Sequence, residues 1–265
     1  MQLGGMSGVV EEAIEKAKMA AVPAKVELVV ITDKACSDCF DIASTVEAVK
    51  SAHVNVTSEK NLDVLAPAAK KLIEQYGIER VPTIIITGEI NKSGIRNAEE
   101  IDGALVFTQI EAPYTDAATG KIEGLVGVTQ LIDSGCVSCF DLASTVEELE
   151  ARVTIASNKK VEYGSEQGKS LMEKYAITQV PTMILSKDLE VYEEVAGIFE
   201  EIGSVEKDGS YVLRDIAPPY VNTSTGKLIG LVTLTMITDT SCSTCYDVEI
   251  HKSIMGRFGL VFGEE

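Results

Sequence analysis

Whatever covalent chemistry this chain can do rests on three cysteine pairs of one spacing, Cys36 with Cys39, Cys136 with Cys139 and Cys242 with Cys245, which account for all 6 cysteines. Each pair opens a repeated hexapeptide: Cys36-Ser37-Asp38-Cys39-Phe40-Asp41, Cys136-Val137-Ser138-Cys139-Phe140-Asp141, and Cys242-Ser243-Thr244-Cys245-Tyr246-Asp247. Two thiols so spaced can be a dithiol redox site, half of a zinc site, or coincidence. Zinc needs four ligands at bonds of ~2.3 Å, so two pairs would have to converge. Here the first cysteines lie 100 and 106 residues apart at equivalent places, and the chain has only 2 histidines, His53 and His251, for which no chemical role is expected. Redox chemistry therefore fits best, and metal or iron–sulfur binding and inert cysteines stand as alternatives.

The elements around the pairs give that chemistry a mechanism. An apolar, β-branched run ending in aspartate precedes each pair (Leu28 to Asp33, Val128 to Asp133, Leu234 to Asp239), and a segment of helical period follows it. The expected arrangement is a strand, a tight loop and a helix N-terminus carrying two thiols. Unpaired backbone N–H groups and the helix dipole would stabilise a thiolate there. Cys36, Cys136 and Cys242 are then expected as exposed nucleophiles, and Cys39, Cys139 and Cys245 as buried partners that resolve the mixed disulfide. Asp33, Asp133 and Asp239, with Asp38, disfavour a thiolate by like charge, which predicts a mild reductase or isomerase rather than a strong oxidant. These aspartates could accept a proton from the resolving thiol, but loop and helix capping is the commoner role.

Further along, Val9 to Ala21 has the stripe of a leading helix that Pro23 stops. Val26 to Thr32 and Val54 to Thr57 read as strands, and apolar residues at 39, 42, 43, 46 and 49 mark a helix lying on a sheet. Leu65 to Tyr76 is a second helix capped by Gly77. Arg80-Val81-Pro82-Thr83 leads the strand Ile84 to Ile86, a place where proline loses no ladder bond. Asn91 to Gly94 reads as a hairpin turn into a fourth strand near Ile95.

The second unit retraces the path through Val146 and Leu149, a strand at Val153 to Ile155, a helix at Gln167 to Tyr175, and Gln179-Val180-Pro181-Thr182 before Met183 to Leu185. From first cysteine to proline the separations are 46 and 45 residues. A turn-rich piece also repeats, Glu111-Ala112-Pro113-Tyr114 to Lys121 and Ala217-Pro218-Pro219-Tyr220 to Lys227. With flanks Ala104 to Ile110 and Ile122 to Ile132 it predicts a long hairpin, serving as linker and edge strand in preference to a peptide-binding arm.

The chain thus divides into units at 1–110 and 111–216 and a partial third at 217–265. That last segment supplies a strand (Leu228 to Thr238), a thiol-bearing helix (Cys242 to about Met255) and a short strand (Phe258 to Phe262). Half a unit exposes an apolar face and an open edge, so a longer chain, a second molecule or its own neighbours must complete it. Association of two chains into a homodimer through 217–265 is the expectation. A formal charge of −18 argues against nucleic acid and anionic membrane surfaces as partners. No apolar run reaches the ~18 to 20 residues of a membrane span. Met1 to Gly5 reads as a cloning remnant; a cytoplasmic location is expected, or an extracytoplasmic one if a targeting segment was removed.

The order strand, Cys-x-x-Cys, helix, strand, helix, then Val-Pro-Thr leading a strand resembles the thioredoxin superfamily over roughly residues 24–103 and 122–203. Two tandem units, each with its own thiol pair, are most similar to the protein disulfide oxidoreductases of that superfamily. The resemblance implies an α/β fold of tandem thioredoxin-like domains, each a mixed central sheet flanked by helices. It further implies a cis peptide before Pro82 and Pro181, with Val81, Pro82, Val180 and Pro181 offering backbone to a bound peptide. Protein or peptide disulfides are the implied substrates and an unidentified reductase the implied donor; no resident cofactor or metal is expected beyond the disulfides. The chain departs from the pattern in having no tryptophan, no Gly-Pro or Pro-aromatic between the cysteines, and Phe-Asp or Tyr-Asp after the second.

Overall fold

Strand β1 (Ala24–Thr32) turns Ala24, Val26, Leu28 and Val30 to one face of a sheet and Ile31 to the other. In this computed structural model the described residues are 22–232, 234–239, 241–242 and 244–257. The expected helix Val9 to Ala21 and strand Phe258 to Phe262 fall outside them. After the first cysteine pair comes α1 (Ala43–Ser51), which packs Val46 and Val49 on the Val26 face together with Ile42. β2 (Val54–Asp63) runs parallel to β1. α2 (Pro67–Tyr76) covers the opposite face with Ala69 and Tyr76. Proline at its first position gives up no helical bond, and Gly77 at φ 60° closes it in the left-handed region.

Beyond α2 lie the two-residue strand β3 (Arg80–Val81), a cis Val81–Pro82 bond, and β4 (Thr83–Gly88). β4 is central: Ile84 and Ile86 enter the α1-side core and Ile85 the α2-side core, the alternation that a two-sided sheet requires. β5 (Glu99–Ile101) and β6 (Ala104–Val106) complete a sheet of order β2-β1-β4-β6-β5, parallel at β1–β2 and antiparallel elsewhere.

A short hairpin, β7 (Tyr114–Asp116) and β8 (Ile122–Glu123), then precedes β9 (Val126–Ile132), and the path repeats. It runs through α3 (Ala143–Glu150), β10 (Ile155–Glu162), α4 (Glu166–Tyr175), β11 (Gln179–Val180), a cis Val180–Pro181 bond and β12 (Thr182–Leu185). After a 3-10 turn at Lys187–Val191 come α5 (Glu193–Ile202), β13 (Gly203–Val205) and β14 (Tyr211–Leu213). The second sheet has the matching order β10-β9-β12-β14-β13. β15 (Tyr220–Asn222) and β16 (Lys227–Ile229) repeat the short hairpin, and α6 (Ile250–Gly256) is the last described helix. By contact the chain separates into two compact units, one holding the described residues up to Gly127 with Glu150–Ala156 and Asp188–Ala196, the other Val128–Leu149, Ser157–Lys187 and the described residues from Gly197.

Several expected elements come out differently. Asn91 to Gly94 is no hairpin turn: Ile90–Lys92 is a 3-10 turn held by buried Ile90, and the Ser93 hydroxyl donates to the Ile90 carbonyl at 2.7 Å. The edge hairpin follows at β5 and β6 instead of at Ile95. The strand expected at Val153 to Ile155 runs on from Ile155 to Glu162. α5, with Val195, Ala196 and Phe199 buried, has no counterpart between β4 and β5. The long hairpin does not form either, because β6 pairs with β4 and β5 while β9 lies between β10 and β12. Its place is taken by the short hairpins. In the third repeat, β16 stops at Ile229, residues 234–239 form no strand, and helix begins only at Ile250.

Candidate functional site

Each cysteine pair is closed as a disulfide, with Cα atoms 5.4, 5.4 and 5.5 Å apart from the first pair to the third. The pairs do not sit at helix N-termini. Cys39 precedes the first residue of α1, Ala43, by four positions, and the thiol loop is built of turns: the Cys36 N–H reaches the Asp33 carbonyl at 3.3 Å and the Cys136 N–H the Asp133 carbonyl at 3.1 Å. The helix dipole expected to favour a thiolate is thus displaced from the sulfurs. The expected contrast in exposure is also missing. Cys36, Cys39, Cys136 and Cys139 are all half-buried, and in the third pair Cys245, the expected buried partner, is exposed while Cys242 is half-buried.

Aspartates shape these loops. The carboxylate ahead of each pair accepts the backbone N–H two residues on: Asp33 from Ala35 at 2.8 Å, Asp133 from Gly135 at 2.9 Å, Asp239 from Ser241 at 2.9 Å. The carboxylate after each pair does likewise, Asp41 from Ala43 at 2.9 Å, Asp141 from Ala143 at 3.0 Å and Asp247 from Glu249 at 3.0 Å. All six are side-chain-to-backbone turns, in which a short carboxylate replaces a missing backbone acceptor. The Ser241 hydroxyl also donates to Asp239, and together these bonds hold that carboxyl below its usual range.

The short hairpins lie against the two complete sites. In the first, β7 pairs antiparallel with β3, Val81 opposite Thr115 and Arg80 opposite Asp116. The Phe40 N–H, next to Cys39, donates to the Pro113 carbonyl at 2.8 Å. Arg80 stacks 4.5 Å over the Tyr114 ring and donates to the Ile110 carbonyl at 3.1 Å. Burial pushes the Tyr114 phenol up, and the Arg80 charge opposes that. The fully buried Thr115 donates its hydroxyl to Asp33 Oδ2 at 2.8 Å, and its Oγ1 lies 3.8 Å from Cys39 Sγ.

The second site copies the backbone and changes the side chains. β15 pairs with β11, Val180 opposite Val221 and Gln179 opposite Asn222, and the Phe140 N–H donates to the Pro219 carbonyl at 2.8 Å. Cys136 and Cys139 pack against an apolar cluster that contains Val180 and Val221.

Val81, Pro82, Val180 and Pro181 are all buried. The backbone expected to meet a peptide at Val81 and Val180 is paired instead with the chain's own hairpins. Thr115, Pro113, Val221 and Pro219 are site residues that sequence reasoning does not find. Their one signal is the repeated Pro-Tyr and Thr-Gly-Lys piece, which by composition reads as a linker. Among the described residues no cluster of three or more His, Cys, Asp or Glu is arranged to hold a metal, and no helix is long and apolar enough to cross a membrane.

No protein-family model matches the chain, and no curated protein does. Among solved structures, it is similar to the NTD_N/C domain of the alkylhydroperoxide reductase AhpF from Enterococcus faecalis, at 13% identity over 66% of this chain and 89% of that one, with a TM-score of 0.22. A mutant of the same reductase matches at 16% identity over 69% and 97%, TM-score 0.22. A protein disulfide oxidoreductase from Aeropyrum pernix matches at 16% identity over 66% and 83%, TM-score 0.19.

Proposed function

We propose that the chain is a thiol–disulfide oxidoreductase of reductase or isomerase character, built as tandem thioredoxin-like units, in which Cys36–Cys39 and Cys136–Cys139 cycle between dithiol and disulfide. The observation that carries the reading is a bonded, half-exposed cysteine pair placed after β1 and again after β9, at equivalent points of two sheets of the same strand order. In the reductive direction Cys36 thiolate attacks a substrate disulfide, forming a mixed disulfide and expelling one substrate thiolate. Cys39 thiolate then attacks the Cys36 sulfur, closing the protein disulfide and releasing the second thiolate. Two electrons pass from the protein to the substrate. An external reductase or small thiol restores the dithiol.

Substrates are protein or peptide disulfides that reach the half-exposed sulfur without adding a strand at Val81 or Val180, since both residues are already paired. Segment 217–265 brings two chains together, a reading supported by Leu231, Val232, Ile237 and Ile250, which are large, apolar and exposed. The covered Val81 and Val180 favour one second reading, a scaffold whose cysteine pairs are structural or redox-sensing. Dithiothreitol-driven reduction of insulin, run beside metal analysis of the purified protein, separates the two. Turnover lost in the Cys36→Ser, Cys136→Ser double variant is expected; no turnover, or stoichiometric bound metal, overturns the proposal.

A further inference from the structure

Resolution of a mixed disulfide needs Cys39 to lose its proton, and the two complete sites differ in what they offer it. At the first, buried Thr115 gives its own proton to Asp33 Oδ2 at 2.8 Å, so its oxygen lone pairs face Cys39 Sγ at 3.8 Å. A hydroxyl committed as donor on one side can only accept on the other. At the second site the equivalent residue is Val221, paired with Val180 as Thr115 is with Val81. Valine and threonine have nearly the same shape, so the difference is the hydroxyl alone.

We propose that Thr115 is a proton relay from the Cys39 thiol to the Asp33 carboxylate, and that the first pair therefore resolves mixed disulfides faster than the second. This rests on the thiol–disulfide reading above. In the step, the Cys39 S–H proton passes to Thr115 Oγ1 as the Thr115 proton passes to Asp33. The Cys39 thiolate attacks Cys36, the Cys36–substrate bond breaks, and the departing thiolate takes a proton from water. At the second site Cys139 packs against an apolar cluster that contains Val221, which offers no acceptor, and gives its proton to solvent. Because Thr115 is carried by β7, the hairpin holds the first site's proton path as well as covering its strand.

The experiment uses the full chain with Cys136, Cys139, Cys242 and Cys245 replaced by serine, fully reduced, then mixed with excess nitrobenzoate disulfide. Release of the first aryl thiolate reports attack by Cys36, and release of the second reports resolution by Cys39. Thr115→Val should leave the first phase unchanged and slow the second on the order of 10-fold, below the full range of general acid–base effects because water can substitute. Thr115→Ser should restore it. In the converse chain, keeping only Cys136 and Cys139, Val221→Thr should speed the second phase. A second phase indifferent to Thr115→Val, or both phases slowed alike, overturns the inference and leaves the redox reading standing. No first release from any variant overturns the redox reading and this inference with it.

Discussion

Six aspartates fix the backbone beside the cysteines, so replacing one should loosen a loop without touching a sulfur. Asp41→Ala removes the acceptor for the Ala43 N–H and should lower stability by about 1 kcal/mol, with Asp41→Asn recovering most of it, as thermal unfolding of the two variants will show. Cys36→Ser and Cys136→Ser should each remove a large share of insulin-reducing turnover. Cys242→Ser should cost less, because no Val-Pro-Thr strand or paired hairpin accompanies the third pair among the described residues; an equal loss from all three would contradict this. At this scale the cysteines and the capping aspartates were legible, since their chemistry depends on neighbours in sequence. Thr115 was not, because a threonine gains its role only when β7 folds onto β3, 76 residues from Cys39.

The thiol loop ends before its helix begins, which sets the electrostatics of the sulfurs. Alkylation of reduced Cys36 against pH should show no strongly lowered thiol, since Asp33 and Asp38 disfavour a thiolate by like charge and no helix terminus stands at the sulfur. A strongly depressed value would restore the helix-dipole picture. Helix ends offer a second test. α2 closes on Gly77 at φ 60°, whereas α4 closes on Ala176 at φ 50°, a left-handed position that an L side chain occupies at a cost. Ala176→Gly should raise stability by up to about 1 kcal/mol. Gly124 joins β8 to β9 at φ 88°, and a Cβ there would stand 2.7 Å from Ala112 Cβ; Gly124→Ala should cost about 1–3 kcal/mol. The runs Leu28 to Ile31 in β1 and Ile84 to Ile86 in β4 were legible because burial on both faces makes each continuously apolar, while the start of β1 alternates with exposed Lys25 and Glu27. The hairpins were not, since strand partners are chosen across the fold and the flanks read equally well as pairing with each other.

Across the whole molecule, charge and acid response follow from carboxylates already engaged in hydrogen bonds. Lys174 holds Asp208 well below the usual range, the Thr119 hydroxyl lowers Asp116, and the Lys25 backbone N–H lowers Glu89. Carboxyls with depressed native pKa stabilise the fold fully above their unfolded value near ~4, and that contribution disappears as pH falls through the native value. Lys50 and Lys174 are raised by their carboxylate partners, so their part is present below ~10.4 and fades only above it. The melting temperature should therefore hold between about pH 5 and 9 and drop below about pH 4, these groups being exposed or half-buried and each worth little. Light scattering at micromolar concentration should show two chains joined through 217–265, and a monomer would remove that proposal. The two sheets of matching strand order accompany the repeated spacing of cysteines and prolines, while their coverage by hairpins needed three-dimensional register. The central claim is tested most directly by mixing fully reduced protein with two equivalents of a protein disulfide, one for each complete pair, quenching in acid and mapping the alkylated cysteines by mass spectrometry. The account predicts Cys36–Cys39 and Cys136–Cys139 bonded again, with one substrate disulfide lost for each bond formed; thiols that stay reduced beside an intact substrate would contradict it.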